Sequence, residues 1–237
     1  MGCIGTDARA GLGRWAVVSG ASRGIGRAFA LEAARRGLDV VLIARSAADL
    51  EEVAGECRGL GVEARTAPAD LGCEEGVAEA LAEAAGLDVG LFVAAAGFGS
   101  SGPFLDQDPA SEADMIDVNC RALLTMTHAI AGGMASRRRG ALVLMSSIVA
   151  FQGVPMAANY AATKAYVQTL AEGLRRELAP RGVQVCACAP GPVDSGFAAR
   201  ARMTMGSTTP AEAVARGTME RLGRGTVRPG ALSKVLG

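Results

Sequence analysis

The amino-acid sequence predicts an α/β fold, a doubly wound parallel sheet of the Rossmann type, built as one domain over residues 1–237. Short apolar runs rich in β-formers alternate with longer amphipathic ones along the chain. A glycine-rich run, Ser19-Gly20-Ala21-Ser22-Arg23-Gly24-Ile25-Gly26, joins the first apolar run to the first amphipathic one. Polar residues follow the carboxyl ends of several apolar runs, where sheets of this kind bind their ligands.

The first strand is expected at 15–19, WAVVS, after which the glycine turn opens a helix over 25–36. VVLIA at 40–44 gives the second strand and 48–58 the next helix; a third strand at 62–66 precedes a helix at 74–85. VGLFVA at 89–94 and ALVLMS at 141–146 flank one long helical run, 111–137. A helix at 156–179 leads into VQVCACA at 183–189, and a short strand near Val227 follows. Strands this continuously apolar are covered on both faces by helices in right-handed crossovers. Arg45, Asp70, Gly97, Ser147 and Pro190 then fall at strand ends, together with the glycine run. Residues 1–13 are read as a flexible extension, and the less regular 197–209 as a mobile cover over the site. No repeat or linker divides the chain.

Composition narrows the function. Half of the residues are hydrophobic and 20% are charged; 24 basic and 24 acidic residues cancel. No global field therefore draws in nucleic acid or an anionic membrane. Arg137-Arg138-Arg139 is expected to end a helix, where cations suit the dipole, as a solvated end. The six cysteines (3, 57, 73, 120, 186 and 188) form no CxxC, and Cys186 and Cys188 share one face of an apolar strand as small hydrophobes. A reduced, cytoplasmic setting fits them. His128, the single histidine, is read as structural, so a His-based triad or multi-histidine metal site is not expected. No signal-peptide pattern or membrane-spanning run is expected. Met1-Gly2-Cys3-Ile4-Gly5-Thr6 matches the loose myristoylation pattern, with Cys3 as a second acylation position, and is not read as an anchor.

Two features carry chemistry. In the glycine run, Gly20 permits a tight turn, while Gly24 and Gly26 let backbone approach a pyrophosphate at a helix N-terminus. Tyr160 and Lys164, in NYAATK, lie one helical turn apart and follow Ser147 by thirteen residues. A cation beside a phenol favours phenolate, moving a pKa of roughly 10 towards neutrality, as acid–base work on an alcohol or carbonyl requires.

With those residues the chain resembles the short-chain dehydrogenase/reductase family, single-domain NAD(P)-dependent oxidoreductases, from about residue 15 to 195. The resemblance implies cofactor contacts from Gly20, Ser22, Arg23, Gly24, Ile25 and Gly26, with Ser19 where threonine is usual. It implies adenine contacts from Asp70 and Leu71, and a nicotinamide-holding segment formed by Pro190, Gly191, Val193 and Ser195. Asn119, Ser147, Tyr160 and Lys164 match the family's catalytic tetrad. Ser147 would hold the substrate carbonyl, Tyr160 donate the proton, Lys164 lower the Tyr160 pKa and bind the ribose, and Asn119 hold a water that reprotonates the phenol. One segment departs from the pattern: the usual Asn-Asn-Ala-Gly reads Ala94-Ala95-Ala96-Gly97, which removes two side chains that brace the sheet near the adenosine.

The second strand ends Ala44-Arg45-Ser46 with no acidic residue for a free ribose. Arg45 and Arg23 suit a 2′-phosphate, favouring NADP(H) over NAD(H). Phe98, Phe104, Val149, Phe151, Met156, Phe197, Met203 and Met205 are expected to border a pocket for a small hydrophobic ketone, aldehyde or secondary alcohol. A catalytically silent NADP-binding sensor of the same fold is the alternative. Leu123, Leu124, Met126, Ile130, Val167, Leu170 and Leu174 exceed one sheet-facing stripe, and the surplus predicts a homodimer or homotetramer.

Overall fold

The structure is a computed structural model and describes residues 11–196, 201 and 208–229. Seven strands form one parallel sheet in the order β3-β2-β1-β4-β5-β6-β9. They are β1 (Trp15–Ser19), β2 (Asp39–Ala44), β3 (Ala64–Pro68), β4 (Val89–Ala94), β5 (Gly140–Met145), β6 (Val183–Cys188) and β9 (Thr226–Val227). Two short segments, β7 (Val193–Asp194) and β8 (Thr209–Pro210), pair separately in parallel. The helices are α1 (Gly24–Arg35), α2 (Ala47–Gly59), α3 (Glu74–Ala84), α4 (Pro109–Ile116), α5 (Leu123–Arg137), α6 (Ala158–Leu178) and α7 (Ala211–Met219).

Alternate residues of each central strand face opposite helical layers, so the sheet divides two cores. Ala16, Val18, Leu42, Leu91 and Val143 meet α1, α2 and α7, with Phe29 and Leu50 fully buried among them. Val17, Ile43, Phe92, Leu142 and Val185 meet α3, α5 and α6. Removing a ring such as that of Phe92, which is 0% exposed, would cost about 3–5 kcal/mol through lost transfer energy and a cavity. No described helix is long and apolar enough to cross a membrane.

The structure corrects the sequence reading in several places. The third strand lies two residues later than expected, because it pairs on one side only and its register is set by β2. Leu12 is buried in the core, and the Arg14 amide donates to Asp88 Oδ2, so the extension does not run flexibly up to residue 13. Arg137 and Arg139 both pair with Asp88, and Arg138 donates to the Pro180 carbonyl. That basic run ends α5 as expected but clamps neighbouring loops rather than only meeting water. His128 is exposed on α5. The long helix at 111–137 is interrupted: Asp117–Ala122 forms a π turn between α4 and α5, with no proline or glycine to announce it. Finally, α6 starts at Ala158 because Met156 takes a left-handed backbone conformation with φ 67°. Phe197, Met203, Met205 and most of the expected cover lie outside the described residues.

Candidate active site

A cleft of about 490 Å³ runs along the carboxyl edge of the sheet. It is lined by the glycine turn, Arg45 and Ser46 after β2, Asp70 and Leu71 after β3, and Gly97 and Phe98 after β4. Ser147 after β5, Tyr160 and Lys164 of α6, and Pro190, Gly191, Val193 and Ser195 after β6 complete it. Of the sequence-predicted catalytic and cofactor-binding residues, all but Asn119 line this one cleft. Phe98 and Val149 border it as expected, whereas Phe104, Phe151 and Met156 do not: their segments turn these side chains out to the surface. Val118 and Ile148 also line it, and neither carried a sequence signal beyond being apolar.

The glycine turn is shaped by close backbone approach. Gly20 has φ 68°, and a Cβ on Gly26 would lie 2.1 Å from the Gly20 carbonyl oxygen, so neither position accepts a side chain without movement. The helix that this turn opens, α1, has no side-chain cap and no acidic residue in its first turn. By contrast, α2 is capped by Ser46 and α4 by Asp108, each with acidic residues nearby. Uncapped N–H groups at the positive end of a helix suit an anion, so this cradle fits a pyrophosphate.

Arg45 is exposed, lines the cleft and has no side-chain hydrogen bond or ion pair among the described residues. Arg23 differs from the expectation that it waits beside Arg45. Its guanidinium pairs with Asp49 of α2 at 2.7 Å, because the first turn of α2 brings that carboxylate over the glycine loop. Asp70 turns inward on its own loop, accepting from the Gly72 amide at 3.0 Å.

At the other end, β5 delivers Ser147 and the first turns of α6 deliver Tyr160 and Lys164; all three side chains are buried. The Lys164 ammonium donates to the Met145 carbonyl at 2.9 Å and lies 5.7 Å from the centre of the Tyr160 ring. Ser146 Oγ donates to the Lys164 carbonyl, fixing α6 against β5. Burial pushes the Tyr160 phenol up to about 12, and its hydrogen bond with Ser147 only moderates the rise. Burial also lowers Lys164 to about 8. The expected drop in the Tyr160 pKa is therefore absent: at this depth loss of water disfavours the phenolate more than the Ser147 hydrogen bond favours it.

Asn119, carried inward by the π turn, accepts from the Phe98 amide at 3.1 Å and donates to the Phe98 carbonyl at 2.9 Å. Its second N–H goes to Thr163 Oγ1 at 3.1 Å. Both side-chain donors are thus spent on protein, leaving one lone pair of Oδ1 for a water. Ser19 Oγ accepts from the Ala96 amide at 3.1 Å. Ser19 and Thr163 are bracing residues that the sequence reading missed; Ser19 was visible only as an unusual member of the glycine run.

Fold and site define a Rossmann-type nucleotide-binding protein with an acid–base cluster at the carboxyl edge of its sheet. The chain belongs to the short chain dehydrogenase family, whose model matches residues 14–206. It is 37% identical over 181 residues to a very-long-chain 3-oxoacyl-CoA reductase of Anas platyrhynchos, covering 74% of this chain and 58% of that protein. It is 38% identical over 175 residues to a 7beta-hydroxysteroid dehydrogenase of Clostridium sardiniense, covering 73% of this chain and 67% of the other. The chain thus spans less than two thirds of the duck reductase. Among solved structures, a short-chain dehydrogenase from Sphingobium yanoikuyae in complex with NADPH superposes with a TM-score of 0.86 at 28% identity, covering 91% of this chain and 87% of its own.

Proposed function

We propose that the protein is an NADP-dependent oxidoreductase that interconverts a hydrophobic ketone or aldehyde and the matching alcohol. The observation that carries this reading is the arrival of Ser147, Tyr160 and Lys164 in the same cleft as the glycine cradle and Arg45. When bound, the nicotinamide cofactor supplies or accepts the hydride. The protein does the rest. Tyr160 is a neutral phenol at physiological pH, with its proton in place. An alkoxide forming on the substrate is more basic than a phenolate, so the proton moves from the phenol to the substrate oxygen as the carbonyl is reduced. Ser147 Oγ holds the same oxygen in line. The Lys164 ammonium stabilises the phenolate left behind, and the low-dielectric surroundings strengthen that attraction. One of its N–H donors is engaged by Met145; the others point the residue to a ribose hydroxyl. Asn119 serves as the brace between the 97–98 loop and Thr163, the residue before Lys164 on α6.

Arg45 favours NADP(H) over NAD(H), because an unpaired guanidinium at the end of β2 suits a phosphate and has no role toward a free ribose. The NADPH complex of the Sphingobium relative supports the same choice. An apolar group beside the reacting carbon is in keeping with Phe98 and Val149 lining the cleft, and with the names of the relatives, a very-long-chain 3-oxoacyl-CoA reductase and a 7beta-hydroxysteroid dehydrogenase. A reduced cytoplasmic setting suits the described cysteines, all of them free thiols. A homo-oligomer is supported by a shallow apolar groove on the outer face of α6, formed by Ala165, Tyr166, Leu170, Gly173 and Leu174, with Leu124 exposed on α5.

The test follows loss of reduced-nicotinamide absorbance with a panel of apolar ketones and aldehydes, for wild type and Tyr160→Phe. Wild type should turn over with NADPH, and the variant should lose at least about a hundredfold in kcat while binding NADPH within about twofold. NADPH binding without turnover of any carbonyl by wild type would favour the silent sensor instead.

A further inference from the structure

Just beyond the turn that follows Ser147, outside the residues that line the cleft, lies an arginine that the proposed chemistry does not use. Val227, the last residue of β9, accepts from the Ala189 amide at 2.8 Å. The neighbouring Pro190 accepts from Ile148 at 3.1 Å. Those two bonds tie the end of β9 to the turn that follows Ser147, and a third contact closes the ring. The guanidinium of Arg228 stacks over the ring of Phe151, 4.3 Å from its centre. Arg228 is half-buried and has no carboxylate partner or side-chain hydrogen bond among the described residues. Phe151 is itself 46% exposed, so the stacked pair reaches the surface. A stacked guanidinium is held in place while its N–H edge remains open for hydrogen bonding.

Resting on the oxidoreductase reading of the cleft, we propose that Arg228, seated on Phe151, is an anion receptor for the substrate, and that the preferred substrate is an apolar carbonyl compound bearing a carboxylate or phosphate remote from the reacting carbon. The spacing follows from the backbone. Ile148–Phe151 forms a 3-10 turn, and four residues at about 2 Å each put Phe151 roughly 8 Å from Ser147. An anionic group about six methylene groups from the carbonyl spans that gap. The sequence could not show this, because Arg228 lies 81 positions after Ser147 in the chain, as 228 − 147 gives.

The test compares a methyl ketone carrying a terminal carboxylate about six methylene groups away with its methyl ester, in wild type, Arg228→Ala and Arg228→Lys. Wild type should prefer the acid in kcat/KM by about tenfold, Arg228→Ala should abolish the preference while leaving the ester within about twofold, and Arg228→Lys should restore part of it. Equal rates for acid and ester in wild type, or an equal loss on both in Arg228→Ala, would overturn the inference and leave the oxidoreductase reading standing. Calorimetry with nonanoate, which has the anion and no ketone, reads the receptor without turnover. Binding by the NADP-loaded wild type and its loss in Arg228→Ala are expected, and no wild-type binding overturns the receptor even if every ketone is inert. Inert ketones with intact nonanoate binding would instead count against the oxidoreductase reading alone.

Discussion

Replacing Lys164 with methionine should tilt the pH dependence of folding stability, in a direction and by an amount that follow from burial. The ammonium is 7% exposed and its pKa falls from 10.5 to about 8, with loss of water as the leading cause. A depressed folded pKa means that the unfolded chain holds the proton more tightly between those values. Stability due to the neutral amine is therefore fully present above about pH 10.5 and is lost as the pH falls through about 8. Between about pH 7.5 and about pH 9.5 the stability difference between the two proteins should move by on the order of 2 kcal/mol in favour of wild type, since the buried thiols of Cys57, Cys186 and Cys188, which lose stability over the same range, are present in both. Methionine retains the apolar stem but strands the Met145 carbonyl, at a cost of about 1–3 kcal/mol. That cost is independent of pH, so it displaces the variant's curve without tilting it. Tyr160, whose raised pKa removes stability only above about pH 10, lies outside the window and is present in both proteins. Urea unfolding followed by fluorescence of Trp15, the single tryptophan, provides the measurement. Parallel stability curves for the two proteins across that window would refute the idea that Lys164 is a desolvated ammonium.

Arg45→Asp should move the NADPH/NADH ratio of kcat/KM towards NADH by at least about tenfold, since a carboxylate repels the phosphate and accepts from a ribose; an unchanged ratio would place phosphate recognition elsewhere. Gly26→Ala puts a methyl 2.1 Å from the Gly20 carbonyl oxygen, so the loop must open. NADPH affinity, read by fluorescence titration, should fall by about tenfold or more, and wild-type affinity in the variant would show the turn to be compliant. Light scattering over micromolar concentrations should give a dimer or tetramer of the 24.0 kDa chain, and a mass of one chain throughout would count against the α6 groove as an interface.

The layered fold and most of the site were legible because they rest on local signals. A buried strand such as VGLFVA reads the same in any context, and the spacing of Tyr160 and Lys164 is fixed once their helix is recognised. What stayed hidden depends on depth and on long-range contact. The Tyr160 pKa moves opposite to the expected direction because burial, which no spacing reports, disfavours the phenolate. Arg23 is engaged by Asp49, 26 residues away, only after α2 folds back over the loop. The surplus apolar residues of α5 and α6 divide for a related reason: Leu123, Met126, Ile130 and Val167 are buried within the chain, Leu170 and Leu174 are partly buried against the same core, and Leu124 is exposed. Helices that cover a wide, twisted sheet bury more than one stripe.

Alanine at 94 and 95 raised the question of what steadies the loop after β4, and the hydrogen bonds supply an answer. Ser19 comes across from β1 to hold the Ala96 amide, while Asn119 clamps both the amide and the carbonyl of Phe98 from the opposite side. A clamp of that kind needs the asparagine turned inward at one fixed height, and a regular α-helix through 111–137 would place it by the 3.6-residue repeat alone. The π turn at Asp117–Ala122 adds the extra residue that alters this phase. Thr163 completes the bracket, its Oγ1 accepting from the Asn119 side-chain Nδ2 and donating to the Tyr160 carbonyl at 2.8 Å. The loop after β4 and the helix that carries Tyr160 are thus held together through one side chain, Asn119, which bonds Phe98 on one side and Thr163 on the other.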